Sequence, residues 1–358
     1  MNAIGATFAG PHAPLDLVEI PIPAVLNEGE VLVHIELAAI CGSDLHTLAG
    51  TRPERIGTTM GHEGVGRVVM SARESVSVGE RITWSLVDIC GTCASCNTHD
   101  LPQKCVNLRK YGHGRPGLTG TFATHIVLEK GTMIQTLSEK LHPHLAATAN
   151  CALGTASQLA TDLPKPERAI VLGAGLLGLY CAHLLEREEW KVEVVDGSEL
   201  RRSLASQAGF KAVLSPSDQA GLIVEVAGSA DFLQSSYPYL RPGGELRLAG
   251  LVHPESQLGL TAEDIIRRCW TVRGSHNYHP IQLVKAGEFA MSFRSRFPTP
   301  FELGPVFSLV DINEAIQAAK TREHLRVFVT SDTKVGVPSV MLGTPKVLGA
   351  LNSLESTP

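Results

Sequence analysis

Short apolar runs with β character, punctuated by glycine and proline, dominate the first 130 residues. VLVHIELAAI (31–40), GRVVMS (66–71), RITWSL (81–86) and FATHIVLE (122–129) each predict a strand. Their spacing predicts a compact, mostly antiparallel β domain. Beyond Pro164 and Pro166 the texture changes. A strand at 168–173 meets a glycine turn and then an apolar helical stretch, 176–189. Strands at 191–196, 222–228, 245–251 and 271–277 follow, alternating with helical stretches at 199–209, 230–240 and 261–270. Alternating β and α predicts a parallel, doubly wound sheet. A short apolar run, KAVL (211–214), is separated from the strand at 222 only by SPSDQAG. Such a segment is too short for a crossover helix. Fully extended it reaches roughly 23 Å, against a lateral gap of roughly 14 Å. A trimmed crossover and a short or missing edge strand are therefore expected.

The chain has 358 residues, which predicts two domains or one large split one. It is 44% hydrophobic and 19% charged, enough apolar material for sizeable cores and against disorder. The net charge of -5 gives no electrostatic basis for binding nucleic acid or an anionic membrane. No apolar run approaches the roughly 18–20 residues that span a bilayer. The N-terminal stretch MNAIGATFAGPHAP has neither a basic start nor an apolar signal core, so a cytoplasmic location is expected.

Candidate chemistry sits in three places. Gly173-Ala174-Gly175-Leu176-Leu177-Gly178 is G-x-G-x-x-G between a predicted strand and a predicted helix, the arrangement that cradles a dinucleotide pyrophosphate. Asp196 ends the second strand, about 20 residues on, where a carboxylate accepts the ribose hydroxyls and repels a 2′-phosphate, favouring NAD over NADP. Arg201 lies close enough in sequence to pack beside the adenosine. Val226, Gly274 and Ser275 follow late strands, at the sheet edge where a nicotinamide would lie. The second place is the run Cys90, Cys93, Cys96 and Cys105, C-x2-C-x2-C-x8-C, which reads as a structural zinc loop or a redox cluster. The third is dispersed: Cys41-Gly-Ser43-Asp44-Leu-His46, then Gly61-His62-Glu63-Gly64-Val-Gly66, then Cys151. Two cysteines and one histidine leave the fourth position of a zinc ion open. Cys181 and Cys269 stand alone and are expected in the core.

C-G-S-D-x-H, G-H-E-x-x-G, the four-cysteine loop and the later glycine motif occur in an order that resembles the zinc-dependent medium-chain alcohol dehydrogenases, over roughly residues 15 to 330. The resemblance implies an α/β fold: a GroES-like β-rich catalytic domain (1–155, with the structural-zinc loop 90–105), an NAD-binding Rossmann domain (156–276), and a return to the catalytic domain plus a tail (277–358). It implies that Cys41, His62 and Cys151 hold a catalytic zinc, with Glu63 approaching from the far side, and that the four-cysteine loop holds a second zinc. Ser43 would bond the substrate oxygen, and His46 would pass its proton outward. The implied reaction moves a hydride between a small-molecule alcohol and NAD, in a homodimer or homotetramer. The cysteine loop has one residue more than is common in the family, which predicts a bulge near Asn97 to Asp100. LPQKCVNLRKYGH and GSHNYHP resemble the subgroup associated with phosphonate catabolism. That implies a hydroxyphosphonate substrate, with Arg52, Arg55, Lys110, His113 and Arg115 as candidate cations. Polyol, amino-alcohol and simple-alcohol oxidation are alternatives. A zinc-free quinone reductase would lack these ligands, and a catalytically silent binding protein would be expected to have lost them or Ser43.

Overall fold

The computed structural model describes residues 1–252, 256–292 and 303–331. The tail, 334–358, lies outside the described residues. Two main sheets carry the fold. One is a six-stranded parallel sheet whose strands, in spatial order, are Lys211–Val213, Lys191–Val195, Arg168–Leu172, Ala220–Glu225, Leu240–Leu248 and Thr271–Gly274. This is the doubly wound order, with its reversal between the strands at 168 and 220. The trimmed crossover is as expected: the edge strand is three residues long, and no helix separates it from Ala220. The buried carboxylate of Glu193 secures that connection by accepting the Ser217 amide at 2.8 Å and the Ser217 hydroxyl at 2.7 Å.

The second sheet is built on Val31–Ile40, which pairs antiparallel with Glu63–Ser71, Val327–Thr330 and His125–Leu128. Strands from the far end of the chain, Val306–Ser308 and Val327–Thr330, therefore complete a sheet begun by the N-terminal residues. Between the two sheets runs a helical segment, Pro143–Leu159, whose middle, Ala149–Leu153, is a π turn. Its alanines and leucines join one core with Leu37 and Val65 on one side and Leu179, Ala182 and Val171 on the other. The fully buried Arg247 ties this segment's end to the parallel sheet. It donates to the carbonyls of Leu159 (2.5 Å), Thr161 (2.6 Å) and Asp162 (2.8 Å).

Cys181 is buried as expected, but Cys269 is exposed. It follows the helix Ala262–Arg268 and takes φ +53 to close it, which turns it outward from the core. No helix among the described residues is long and apolar enough to cross a membrane.

Candidate metal and nucleotide sites

Sheet register delivers the first two ligands. Ala39 pairs with Glu63 across the antiparallel strands, so Cys41, just past one strand, and His62, just before the other, emerge at the same edge. Cys41 caps the helix Gly42–Leu48, and its amide donates to Asp44 Oδ2 at 2.9 Å. The other Asp44 oxygen lies 3.2 Å from His62 Nδ1, which turns Nε2 toward the cysteines. Cys151 arrives from the π turn, a local widening of the kind that recurs at functional sites. Its neighbour Asn150, fully buried, brackets the histidine by donating to His62 O at 3.0 Å and accepting from the Gly64 amide at 3.3 Å. One ligand atom each from Cys41, His62, Glu63 and Cys151 lies within 4.8 Å of the others. Two thiols, an imidazole and an open side are the donor set of a catalytic zinc. A hydrogen bond from Cys151 holds the Cys41 thiol well below the usual range, and the same bond pushes Cys151 well above it. Ser43 Oγ stands 3.3 Å from His62 Nε2, within the same cluster.

Arg326 was not found from sequence. It donates to both Glu63 oxygens, at 3.0 and 2.9 Å, and approaches Cys41 Sγ at 3.9 Å. Burial drives Glu63 up to about 7 against the pull of this cation. Both carboxylate oxygens are thus held on the guanidinium. Arg326 also lines a cleft of about 500 Å³ shared with Gly42, His46, Gly175, Arg201 and Ala227, which reaches from the residue after Cys41 to the glycine turn.

At that turn the three glycines have three different reasons. Gly173 has φ +109. Gly175 has open space where a Cβ would stand, so a phosphate can approach the backbone. A Cβ on Gly178 would lie 1.8 Å from Gly173 O, so only glycine lets this helix pack on its strand. Leu176 and Leu177 open the helix, with the Leu176 side chain in the core. Asp196 accepts the Ala174 amide at 2.7 Å and the Ser198 amide at 2.8 Å, fixing its carboxylate beside the turn. Arg201 donates to the carbonyls of Arg322 and His324, both at 2.8 Å, across the cleft. Val226 continues past its strand, its amide donating to Leu172 O at 3.0 Å. Gly274 and Ser275 line a neighbouring cleft with Leu248, Ala249 and His276.

The four-cysteine run converges as well. Sulfurs about 2.3 Å from a tetrahedral zinc lie about 3.8 Å apart. Here Cys93–Cys96, Cys93–Cys105 and Cys90–Cys105 are separated by 3.5, 3.9 and 3.4 Å, all four as free thiols. In the stretch where a bulge is expected, the helical turn Ala94–Asn97 ends and Asp100 takes φ +52.

Residues 27–138 match the alcohol dehydrogenase GroES-like domain family. The zinc-type alcohol dehydrogenase B of Aspergillus flavus is 28% identical over 274 residues, 68% of this chain and 63% of that one. The L-threonine 3-dehydrogenase of Thermococcus kodakarensis is 29% identical over 276 residues, 70% of this chain and 75% of its own. The crystal structure of an alcohol dehydrogenase from Thermotoga maritima superposes with a TM-score of 0.83 at 26% identity, covering 92% of this chain and 99% of that one. The chain belongs to the zinc-type medium-chain alcohol dehydrogenase family. It is an oxidoreductase of that family, with a GroES-like β domain and a Rossmann sheet.

Proposed function

We propose that this dehydrogenase moves a hydride between an alcohol and NAD, with one catalytic and one structural zinc per chain. The observation that carries the reading is the convergence of Cys41, His62 and Cys151, separated in sequence by the β domain, beside a cleft that ends at the glycine turn. When bound, zinc supplies Lewis-acid polarisation of the alcohol oxygen and NAD accepts the hydride. Ser43 Oγ would accept the alcohol's hydroxyl proton while handing on its own, and His46, lining the cleft, would carry a proton outward to solvent. Asp44 keeps His62 oriented, while Arg326 neutralises Glu63 and presents a cation to the cleft. NAD rather than NADP is favoured because the Asp196 carboxylate is fixed at the ribose position. Arg201, the cation that a 2′-phosphate would need, has one guanidinium nitrogen engaged by two carbonyls.

Charge supports a finer reading, an alcohol that carries an oxyanion, such as a hydroxyphosphonate. Of the cations proposed from sequence, Arg115 is paired with Glu129 at 2.9 Å and Arg55 is exposed. His113 Nδ1–H donates to the Glu54 carboxylate at 2.9 Å, and burial holds the imidazole down to about 4, so it is neutral near pH 7. Lys110 and Arg52 are left. Neither has a carboxylate partner among the described residues, and burial and the Arg52 charge lower Lys110, which also feels Cys151 and Cys41. We take the units as 1–155, 156–276 and 277–358, the location as cytoplasmic and the assembly as a homo-oligomer.

The test is NADH formation by zinc-loaded protein across hydroxyphosphonates, polyols, amino alcohols and simple alcohols, with and without a chelator. Chelator-sensitive turnover is expected, strongest on a phosphonate. Turnover on uncharged alcohols alone keeps the dehydrogenase and removes the oxyanion. Turnover insensitive to prolonged chelation contradicts the zinc chemistry.

A further inference from the structure

Glu225 ends the strand Ala220–Glu225 and is fully buried, with no cation at ion-pair distance among the described residues. A buried carboxylate without a counter-ion is expensive unless hydrogen bonds replace its water. Here backbone amides from two different loops do so. Gly228 N–H donates to Oε1 at 2.6 Å, and Gly250 N–H donates to Oε2 at 3.1 Å. The main-chain carbonyl of the same residue accepts from Ala249 and Gly250 at 3.0 and 3.2 Å. The fit is closed by glycine. Gly228 has φ +73, and a Cβ on Gly250 would stand 2.6 Å from Gly228 N and 2.8 Å from Glu225 Oε1.

These loops leave the carboxyl ends of the strands at 220 and 240, on the far side of the strand-order reversal from Asp196. Dinucleotides lie across that reversal, so the half opposite the adenosine meets this side. Ala227, between Glu225 and Gly228, touches the glycine turn: a Cβ on Gly173 would lie 3.0 Å from its Cα. Ala227 also lines the cleft that holds Gly175 and Arg326.

We propose that Glu225 is a positioning residue: its carboxylate locks the loops 226–229 and 249–252 into one wall against the nicotinamide half of the cofactor, leaving the adenosine half to Asp196 and the glycine turn. The proposal rests on the dinucleotide reading above. A carboxylate is required because both oxygens must accept. A carboxamide accepts at one and turns an N–H against the second loop's amide.

The experiment compares calorimetric binding of NAD and of ADP-ribose to the zinc-loaded full chain, wild type and Glu225→Gln. Losing one charge-assisted bond predicts a Kd for NAD weaker by about tenfold. The Kd for ADP-ribose, which lacks the nicotinamide, stays within about twofold of wild type. Glu225→Asp, which keeps both acceptor oxygens, is expected to recover part of the loss. Equal weakening of both ligands, or no change in either, overturns the proposal. Wild-type protein that fails to bind ADP-ribose overturns the dinucleotide reading itself, a separate result. Should Glu225→Gln fail to fold, Gly250→Ala pushes a methyl into the same clamp and is expected to show the same split between the two ligands.

Discussion

Glu63 is held inside the protein by Arg326, which reaches both of its oxygens from the other end of the chain. Cys41, His62 and Cys151 were legible because thiols and imidazoles at such positions carry their own chemistry. Arg326 was not, since a single arginine in HLRVF has no local signature and acquires its role only when Val327–Thr330 pairs with Val31–Ile40. The structure likewise sorted the candidate cations, since Arg115 and His113 already have partners and only contacts reveal that. Asp196 was readable because its position follows from the strand and the glycine turn. Replacing it tests the cofactor choice. Asp196→Ser removes hydrogen bonds worth about 1.5–3 kcal/mol to the ribose. kcat/KM with NAD is therefore expected to fall about tenfold to a hundredfold while NADP use rises. A variant with unchanged preference in steady-state kinetics contradicts the assigned role.

The elements differ in how plainly the sequence signals them, for physical reasons. Val31–Ile40 and the alternating strands after Arg168 are long or strongly apolar, so their pattern is clear. The short strand Lys211–Val213 is anticipated from the apolar run KAVL and from a connection too short to hold a helix. The π turn at Ala149–Leu153 has no periodicity of its own, because its geometry comes from packing between two sheets. The four-cysteine lobe is the opposite case, legible from spacing yet almost without a core. Its helical turn Ala94–Asn97 buries no residue. It nevertheless clasps the segment after the last parallel strand, with Lys104 Nζ 2.6 Å from His276 Nδ1 and Asp100 3.2 Å from His279. The proposed structural zinc would supply what the apolar residues do not. Cys93→Ser is expected to lower zinc content from two per chain to one and to destabilise the protein by at least ~3 kcal/mol. Metal analysis and thermal melting check this, and an unchanged melting midpoint with one zinc lost contradicts a structural role.

For the molecule as a whole, the parallel sheet and the antiparallel sheet meet at the helical segment that carries Cys151, and Arg326, bonded to Glu63, lines a cleft that reaches Gly175 of the glycine turn. The two-sheet plan and the four-cysteine run are legible in the sequence because pattern and motif spacing report local structure, whereas the dispersed Cys41, His62 and Cys151 become a set only through the family resemblance. What could not be read is the joint, since Arg247, Arg326 and Tyr278 bind across it through contacts far apart in sequence. Tyr278 OH, for example, donates to Asn150 O at 2.5 Å, beside Cys151. The central claim is that hydride passes directly from an alcohol carbon to NAD at the Cys41–His62–Cys151 cluster. Its most direct test is mass spectrometry of the NADH formed from a carbinol-deuterated alcohol, taken from the turned-over members of the substrate panel. Wild-type protein should yield singly deuterated NADH, and Cys151→Ser, with its four-cysteine zinc intact, should yield almost none. Deuterium lost to water, or full transfer by Cys151→Ser, would contradict the account.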